Sequence, residues 1–154
     1  MKIDAFLRFR LKKHLFTSYL NITRYTTIFR YHKKYLINDH GRVHYFLKQR
    51  ALFYKGGLLL RGTELAETYQ IQNLSFNKDD LVIDVEANNG DLLLFLNLEV
   101  IEYIGFEPSS IEFSLLQLNI DHFARIYPYV VGDIDGRLIF LFPRTEPIQV
   151  SLSH

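Results

Sequence analysis

Apolar residues recur at spacings of three and four near the start of the chain. Phe6, Phe9, Leu11, Leu15, Phe16, Tyr19 and Leu20 are set among Arg8, Arg10, Lys12 and Lys13. This spacing predicts an amphipathic helix over residues 2–20 with a basic flank. From 24 to 37 β-branched and aromatic residues gather (Tyr25, Thr26, Thr27, Ile28, Phe29), and helix and strand compete there. Asn38-Asp39-His40-Gly41 is a turn signal between Tyr35-Leu36-Ile37 and Val43-His44-Tyr45-Phe46-Leu47, the pattern of a hairpin. Lys55-Gly56-Gly57 then breaks the pattern.

Beyond Gly62 the punctuation becomes regular. Thr63 is an N-cap candidate for a helix favoured by Glu64 and Glu67, with Leu65, Tyr69 and Ile71–Leu74 as its buried face. After the turn Asn77–Asp80, the short apolar run Leu81-Val82-Ile83-Asp84-Val85 reads as a buried parallel strand. A small-residue turn, Glu86–Gly90, leads into a helix at Asp91–Leu96. Tyr103–Phe106 is a second strand, Pro108-Ser109 opens a helix with its body at Ile111–Ile120, and Tyr127–Val131 is a third strand. Asp135-Gly136 predicts a hairpin that returns the chain as Leu138–Phe142. Alternation of helix and strand places residues 63–154 in the α/β class with a parallel sheet, behind a basic, mainly helical segment over 1–62.

Charge separates the same two segments. Met1–Arg61 holds 14 Lys and Arg against Asp4 and Asp39, a formal +12, whereas the remainder holds 4 Lys and Arg against 15 Asp and Glu, a formal −11. The two segments either neutralise each other or the basic one faces an anionic partner. Residues 2–20 are the candidate for peripheral membrane contact. Aromatic and basic residues interleave at Arg24-Tyr25, Phe29-Arg30-Tyr31 and Lys33-Lys34-Tyr35, but they fit no RNA-binding motif, so nucleic acid is disfavoured. The absence of cysteine excludes disulfides, thiolate zinc sites and a cysteine nucleophile. Charges near the N-terminus interrupt a signal-peptide core, and no apolar run reaches the ~18 residues of a membrane span, so a cytoplasmic location is expected, with membrane association through the basic segment as the variant.

A strand, a small-residue turn and a helix start form the nucleotide-binding corner of α/β folds, because backbone N–H groups and the helix terminus face the ligand there. Glu107 stands 17 residues past Gly90 at the end of the next strand, where an acid can accept both ribose hydroxyls. At these residues the chain resembles a family. Val82-Ile83-Asp84-Val85-Glu86-Ala87-Asn88-Asn89-Gly90-Asp91 looks like the V-I-D-V-G-A-N-x-G motif of FkbM-type S-adenosylmethionine-dependent methyltransferases. Ile104-Gly105-Phe106-Glu107-Pro108-Ser109 resembles that family's second-strand motif, and Val131-Gly132-Asp133-Ile134-Asp135-Gly136 its third-strand hairpin.

The resemblance implies a partial Rossmann-like methyltransferase sheet of three parallel strands plus a hairpin return. It also implies S-adenosylmethionine as cofactor and methyl transfer to an oxygen of a small metabolite or a sugar. Carried over, Asp84, Glu86, Ala87, Asn88 and Gly90 lie under the methionine part, Glu107 binds the ribose, and Asp133 touches the adenine. No catalytic residue and no metal ligand is assigned.

Two departures from the family pattern bear on activity. Glu86 replaces a glycine, and a side chain in a left-handed turn costs ~1–2 kcal/mol. Its carboxylate also lies near the expected place of the cofactor's own, and two carboxylates ~4 Å apart repel by about 4 kcal/mol at an effective dielectric of 20. The sheet is also shorter than the family's seven strands. The chain is therefore expected to be a fragment, a truncated relative or half of a complementing pair, inactive or weakened alone, with self-association or a complementing chain at the open edge of Leu81–Val85. His40-x-x-x-His44 has ligand spacing but reads as two histidines of a surface turn. His122 reads as a helix-end residue, and Ser109-Ser110 as a helix start.

Overall fold

The structure is a computed structural model that describes residues 2–22, 27–120, 124–132, 137–140 and 148–151. It contains two compact units, Met1–Arg61 and Gly62–His154.

The first unit opens with α1 (Lys2–Asn21), followed by β1 (Thr27–His32), β2 (Lys34–Asp39) and β3 (Arg42–Phe46) in an antiparallel sheet of order β1-β2-β3. A sheet in the middle of this unit corrects the expectation of a mainly helical segment. The reason is a period-two pattern of large side chains: the register sets Phe29 opposite Ile37, and Ile37 opposite His44. Tyr35 pairs with Phe46 on the same face, and Phe29, Tyr35, Ile37, His44 and Phe46 are all buried. Rings fill this core, with Phe16 on Tyr35 at 5.7 Å, Phe29 on Phe46 at 6.0 Å and Phe46 on Tyr54 at 4.9 Å between centroids.

The hairpin between β2 and β3 turns through His40 and Gly41, whose φ angles of 51° and 91° are the paired left-handed values of a type I′ loop. Asn21, at the end of α1, receives the Phe29 N–H at 2.7 Å and donates to the Phe29 carbonyl at 2.9 Å, which ties helix to strand. The apolar face expected of α1 is redrawn. Leu15 and Tyr19 are exposed, whereas Thr17 is buried with its hydroxyl donating to the His14 carbonyl at 3.0 Å. The histidine pair is corrected as well: only His40 lies in the surface turn, and His44 is buried in β3 against the Tyr54 ring, 5.5 Å away.

A 3-10 helix (Lys48–Tyr54) leads to α2 (Gly57–Thr68), within which the two units divide. This helix starts before Thr63, so Thr63 is not its N-cap. The Asp39 carboxylate takes the Leu58 N–H at 2.7 Å and sits at the positive end of the helix instead. The helix also ends earlier than its expected apolar face. Gln70 is left-handed at φ 58°, with Gln70 N–H on the Glu67 carbonyl and Ile71 N–H on the Ala66 carbonyl, the paired bonds of a Schellman stop. Tyr69 and Leu74 are consequently exposed.

In the second unit β4 (Leu81–Val85), β5 (Glu102–Phe106) and β6 (Ala124–Tyr127) form a parallel sheet of order β4-β5-β6, an α/β arrangement. α3 (Ser110–Asn119) connects β5 to β6. Its start is a serine N-cap: Ser109 Oγ accepts the Glu112 N–H at 3.4 Å. The helix expected at Asp91–Leu96 is a single 3-10 turn, Asp91–Leu94. Leu93, Leu94 and Leu96 are all buried, so this run has no polar face to show water. The third strand lies earlier than Tyr127–Val131, because Ala124 and Ile126 are the residues that meet the core and Pro128 cannot continue the ladder. The return strand is corrected too. β7 (Arg137–Phe140) pairs antiparallel with β8 (Ile148–Ser151) in a separate sheet, not with β6, and the expected turn at Asp135-Gly136 lies outside the described residues.

One face of the parallel sheet carries Val82, Tyr103 and Ile126 into a core with Ala87, Leu93, Leu96, Ile101 and Leu116. The other face carries Leu81, Ile83, Val85 and Tyr127, all exposed.

Candidate nucleotide corner

The strand β4 carries apolar residues on both faces, and the chain leaves it abruptly to reach the 3-10 turn. It does so through three alternating left-handed residues: Glu86 at φ 63°, Asn88 at 53° and Gly90 at 83°. Asparagine tolerates this region and glycine is at home in it, but glutamate is strained there. Gly90 is also a place of close approach, since a Cβ there would stand 2.8 Å from Leu116 Cδ1. Within the turn, Ala87 N–H reaches the Phe106 carbonyl at 2.9 Å, Gly90 N–H the Ala87 carbonyl at 2.9 Å, and the Asn88 side-chain amide the Glu86 carbonyl.

Glu107, directly after β5, joins this turn to the next helix. Its Oε2 accepts the Asn88 N–H at 2.8 Å and its Oε1 accepts the Ser109 N–H at 2.6 Å. The residue is 4% exposed. Burial pushes its carboxyl above the ordinary range, the Ser109 and Asn88 amides pull it back, and the nearby Glu112 and Glu86 carboxylates push it up again. An ionised carboxylate offers about four acceptor sites, and the two amides take one on each oxygen. One acceptor site per oxygen therefore remains, enough in number for a diol, on a residue that presents little surface.

A second pair of bonds holds the far side of the turn. Asn89, fully buried, donates to Asp91 Oδ1 at 3.0 Å, and Asn119 donates to the Asn89 carbonyl at 2.7 Å. The end of α3 is thereby fastened to the turn.

The sequence-derived site residues fall into separate groups. Ala87, Asn88, Gly90 and Glu107 come together through the bonds above. Glu86 is exposed at the rim. Asp84 belongs to the covered face of β4, where its Oδ2 accepts the Tyr103 hydroxyl at 2.7 Å. Burial raises the Asp84 carboxyl and the Tyr103 bond lowers it, while burial and Asp84 together hold the Tyr103 hydroxyl far above its ordinary value. Asp133 and His122 lie outside the described residues. No family model matches the chain, and no curated protein does.

Sequence reasoning missed Tyr103, Asn89 and Asn119. Tyr103 was legible in principle, since in a parallel pair the residue opposite Val82 shares a face with Asp84. Asn89 and Asn119 lie 30 positions apart, and only the packing of α3 brings them together. Also missed was a cavity of about 410 Å³ beside β4, lined by the strand and by Tyr69, Ile71, Leu74, Phe76, Leu92 and Leu96. Among the described residues no cluster of three metal-ligating side chains occurs, and no helix is long and apolar enough to cross a membrane.

Proposed function

We propose that the turn at 86–90 and Glu107 hold S-adenosylmethionine on a Rossmann-like sheet, the turn at its methionine part and Glu107 at its ribose. The reaction is then methyl transfer to an oxygen of a small metabolite or a sugar. The observation that supports this reading is the 2.8 Å bond from the Asn88 N–H to Glu107, which makes one cradle of the turn after β4 and the acid after β5. In that cradle the remaining acceptor sites of Glu107 take the ribose hydroxyls. The backbone of Ala87 and Asn88 lies under the methionine part, and Asp133 is the carry-over assignment for the adenine. A net charge of −11 in residues 62–154 favours a ligand with a sulfonium. The cofactor supplies an electrophilic methyl group, and the protein's work is to hold donor and acceptor oxygen in line.

Titration calorimetry with S-adenosylmethionine and S-adenosylhomocysteine tests the reading. Micromolar binding is expected, tightened by Glu86→Gly, which removes both the strained φ and the rim carboxylate. No heat from either protein with either ligand contradicts it and leaves a non-catalytic interaction module as the reading.

A second reading rests on α1, where Leu15 and Tyr19 are exposed at helical spacing and Ile22 is exposed just past the helix end, in a segment of net charge +12. Such a stripe with basic surroundings suits peripheral contact with anionic lipid. Sedimentation with anionic and neutral vesicles, at low and high salt, tests it: adhesion only to anionic vesicles at low salt is expected, and equal adhesion to neutral ones contradicts it.

A further inference from the structure

β4 is an edge strand, paired with β5 on one side and with no described strand on the other. The phase of its ladder is set by the Glu102 N–H, which donates to the Asp80 carbonyl at 3.0 Å. In a parallel pair this phase turns residues 82 and 84 toward β5 and leaves the N–H and C=O groups of 81, 83 and 85 facing outward. Leu81, Ile83 and Val85 also expose about half their side chains, at 47%, 58% and 50%. Natural sheets protect such edges with charges, proline or a bulge, and β4 carries none of these at its three outward positions. The cavity of about 410 Å³ is lined by all five residues of this strand together with Tyr69, Ile71, Leu74 and Phe76.

An edge whose outward amides pair with no described strand, beside an apolar trough, matches strand addition. In that mode main-chain bonds supply affinity, and sockets for alternate side chains supply selectivity. Electrostatics narrows the occupant further. Asp79, Asp80, Asp84 and Glu86 lie on or beside the strand against Lys78 alone. Asp84 lines the cavity, and its Oδ1 accepts no bond from a described residue.

We propose that β4 is a docking edge for an extended segment of another protein, rich in Val and Ile and carrying a Lys or Arg that reaches Asp84. This inference is independent of cofactor binding, since the occupied edge lies on the strand and not in the turn.

The probe is a labelled synthetic peptide alternating Val or Ile with Thr around a central Lys, added to the full chain. Controls carry Glu for Lys, or N-methyl groups along one edge. Anisotropy is expected to show binding of the Lys peptide, at least about tenfold weaker for the Glu peptide. Hydrogen exchange is expected to slow at amides 81, 83 and 85. Ile83→Pro removes an outward amide and no bond to β5, so it abolishes binding; Asp84→Asn, which keeps an acceptor for Tyr103, weakens the Lys peptide selectively. Equal binding of the Lys and Glu peptides, or saturation without protection at 83 and 85, overturns the proposal. So does sedimentation that shows a dimer with those amides already protected, because a second copy then occupies the edge.

Discussion

Each unit buries one face of a three-stranded sheet, and the two differ in what the opposite face carries: Arg30, Asn38 and Val43 in one, Leu81, Ile83 and Val85 in the other. The basic unit encloses one face of an antiparallel sheet with rings and a helix, and its Ile37 is 0% exposed. Among the described residues the acidic unit covers one face of a parallel sheet, and on the other face Ile83 is 58% exposed. Parallel sheets ordinarily have both faces covered. Identical residue types therefore do different work: Ile37 is core in the first sheet, whereas Ile83 is surface in the second.

The isoleucine pair breaks or sharpens this contrast most strongly. Ile37→Ala is expected to destabilise the basic unit by about 3 kcal/mol, the cost of a core cavity. Ile83→Ala is expected to cost under about 1 kcal/mol in the acidic unit, because half its surface is already in water. Denaturant titration read by unit-specific hydrogen exchange checks both, and equal costs would erase the distinction.

Glu107→Ala comes next. It leaves the Asn88 and Ser109 amides without their carboxylate and is expected to destabilise the acidic unit by about 2–3 kcal/mol, with exchange in residues 27–46 unchanged. Loss of protection in both units would show that the cradle is not local to one.

How much of this was visible in the residue order depends on the range of the forces. β4, β5 and α3 were legible because each is set by a local signal: an apolar run ended by a turn, or a serine cap with a glutamate three residues on. The β2–β3 hairpin was legible from His40-Gly41 for the same reason. The start of α2 was not, because its partner is Asp39, 19 positions away from Leu58. The leucines at 92–96 suggest a helix locally, but burial on several sides selects a shorter turn. In the corner itself, strain at Glu86 is expected only through the resemblance, whose motif has glycine there, and the structure holds this residue at φ 63°. That Glu107 spends one acceptor site per oxygen on amides could not be read from spacing.

Two smaller effects complete the comparison. Glu86→Gly relieves a left-handed side chain at ~1–2 kcal/mol and adds freedom to the unfolded chain, for a net gain of about 0.5–1 kcal/mol. A rise of several degrees in the melting temperature of the acidic unit is expected, and no rise would deny the strain. The smallest effect is on pH dependence. Asp84 and Glu107 are both held above their ordinary carboxyl values, so the folded state keeps their protons more readily than the unfolded chain. Their contribution to stability is full below the unfolded carboxyl range and is lost as pH rises through the folded values. The acidic unit should therefore gain from these groups on mild acidification from neutrality. Asp84→Asn is expected to flatten that slope in melts across pH 4–7, and an unchanged slope would remove Asp84 as its source.

The cradle is tested most directly by amide shifts of the labelled chain during titration with S-adenosylhomocysteine. The expected result is a saturable movement of the Asn88, Gly90 and Ser109 resonances, with those of residues 27–46 still. Saturating ligand that leaves all three unmoved, or that moves only the basic unit, contradicts it.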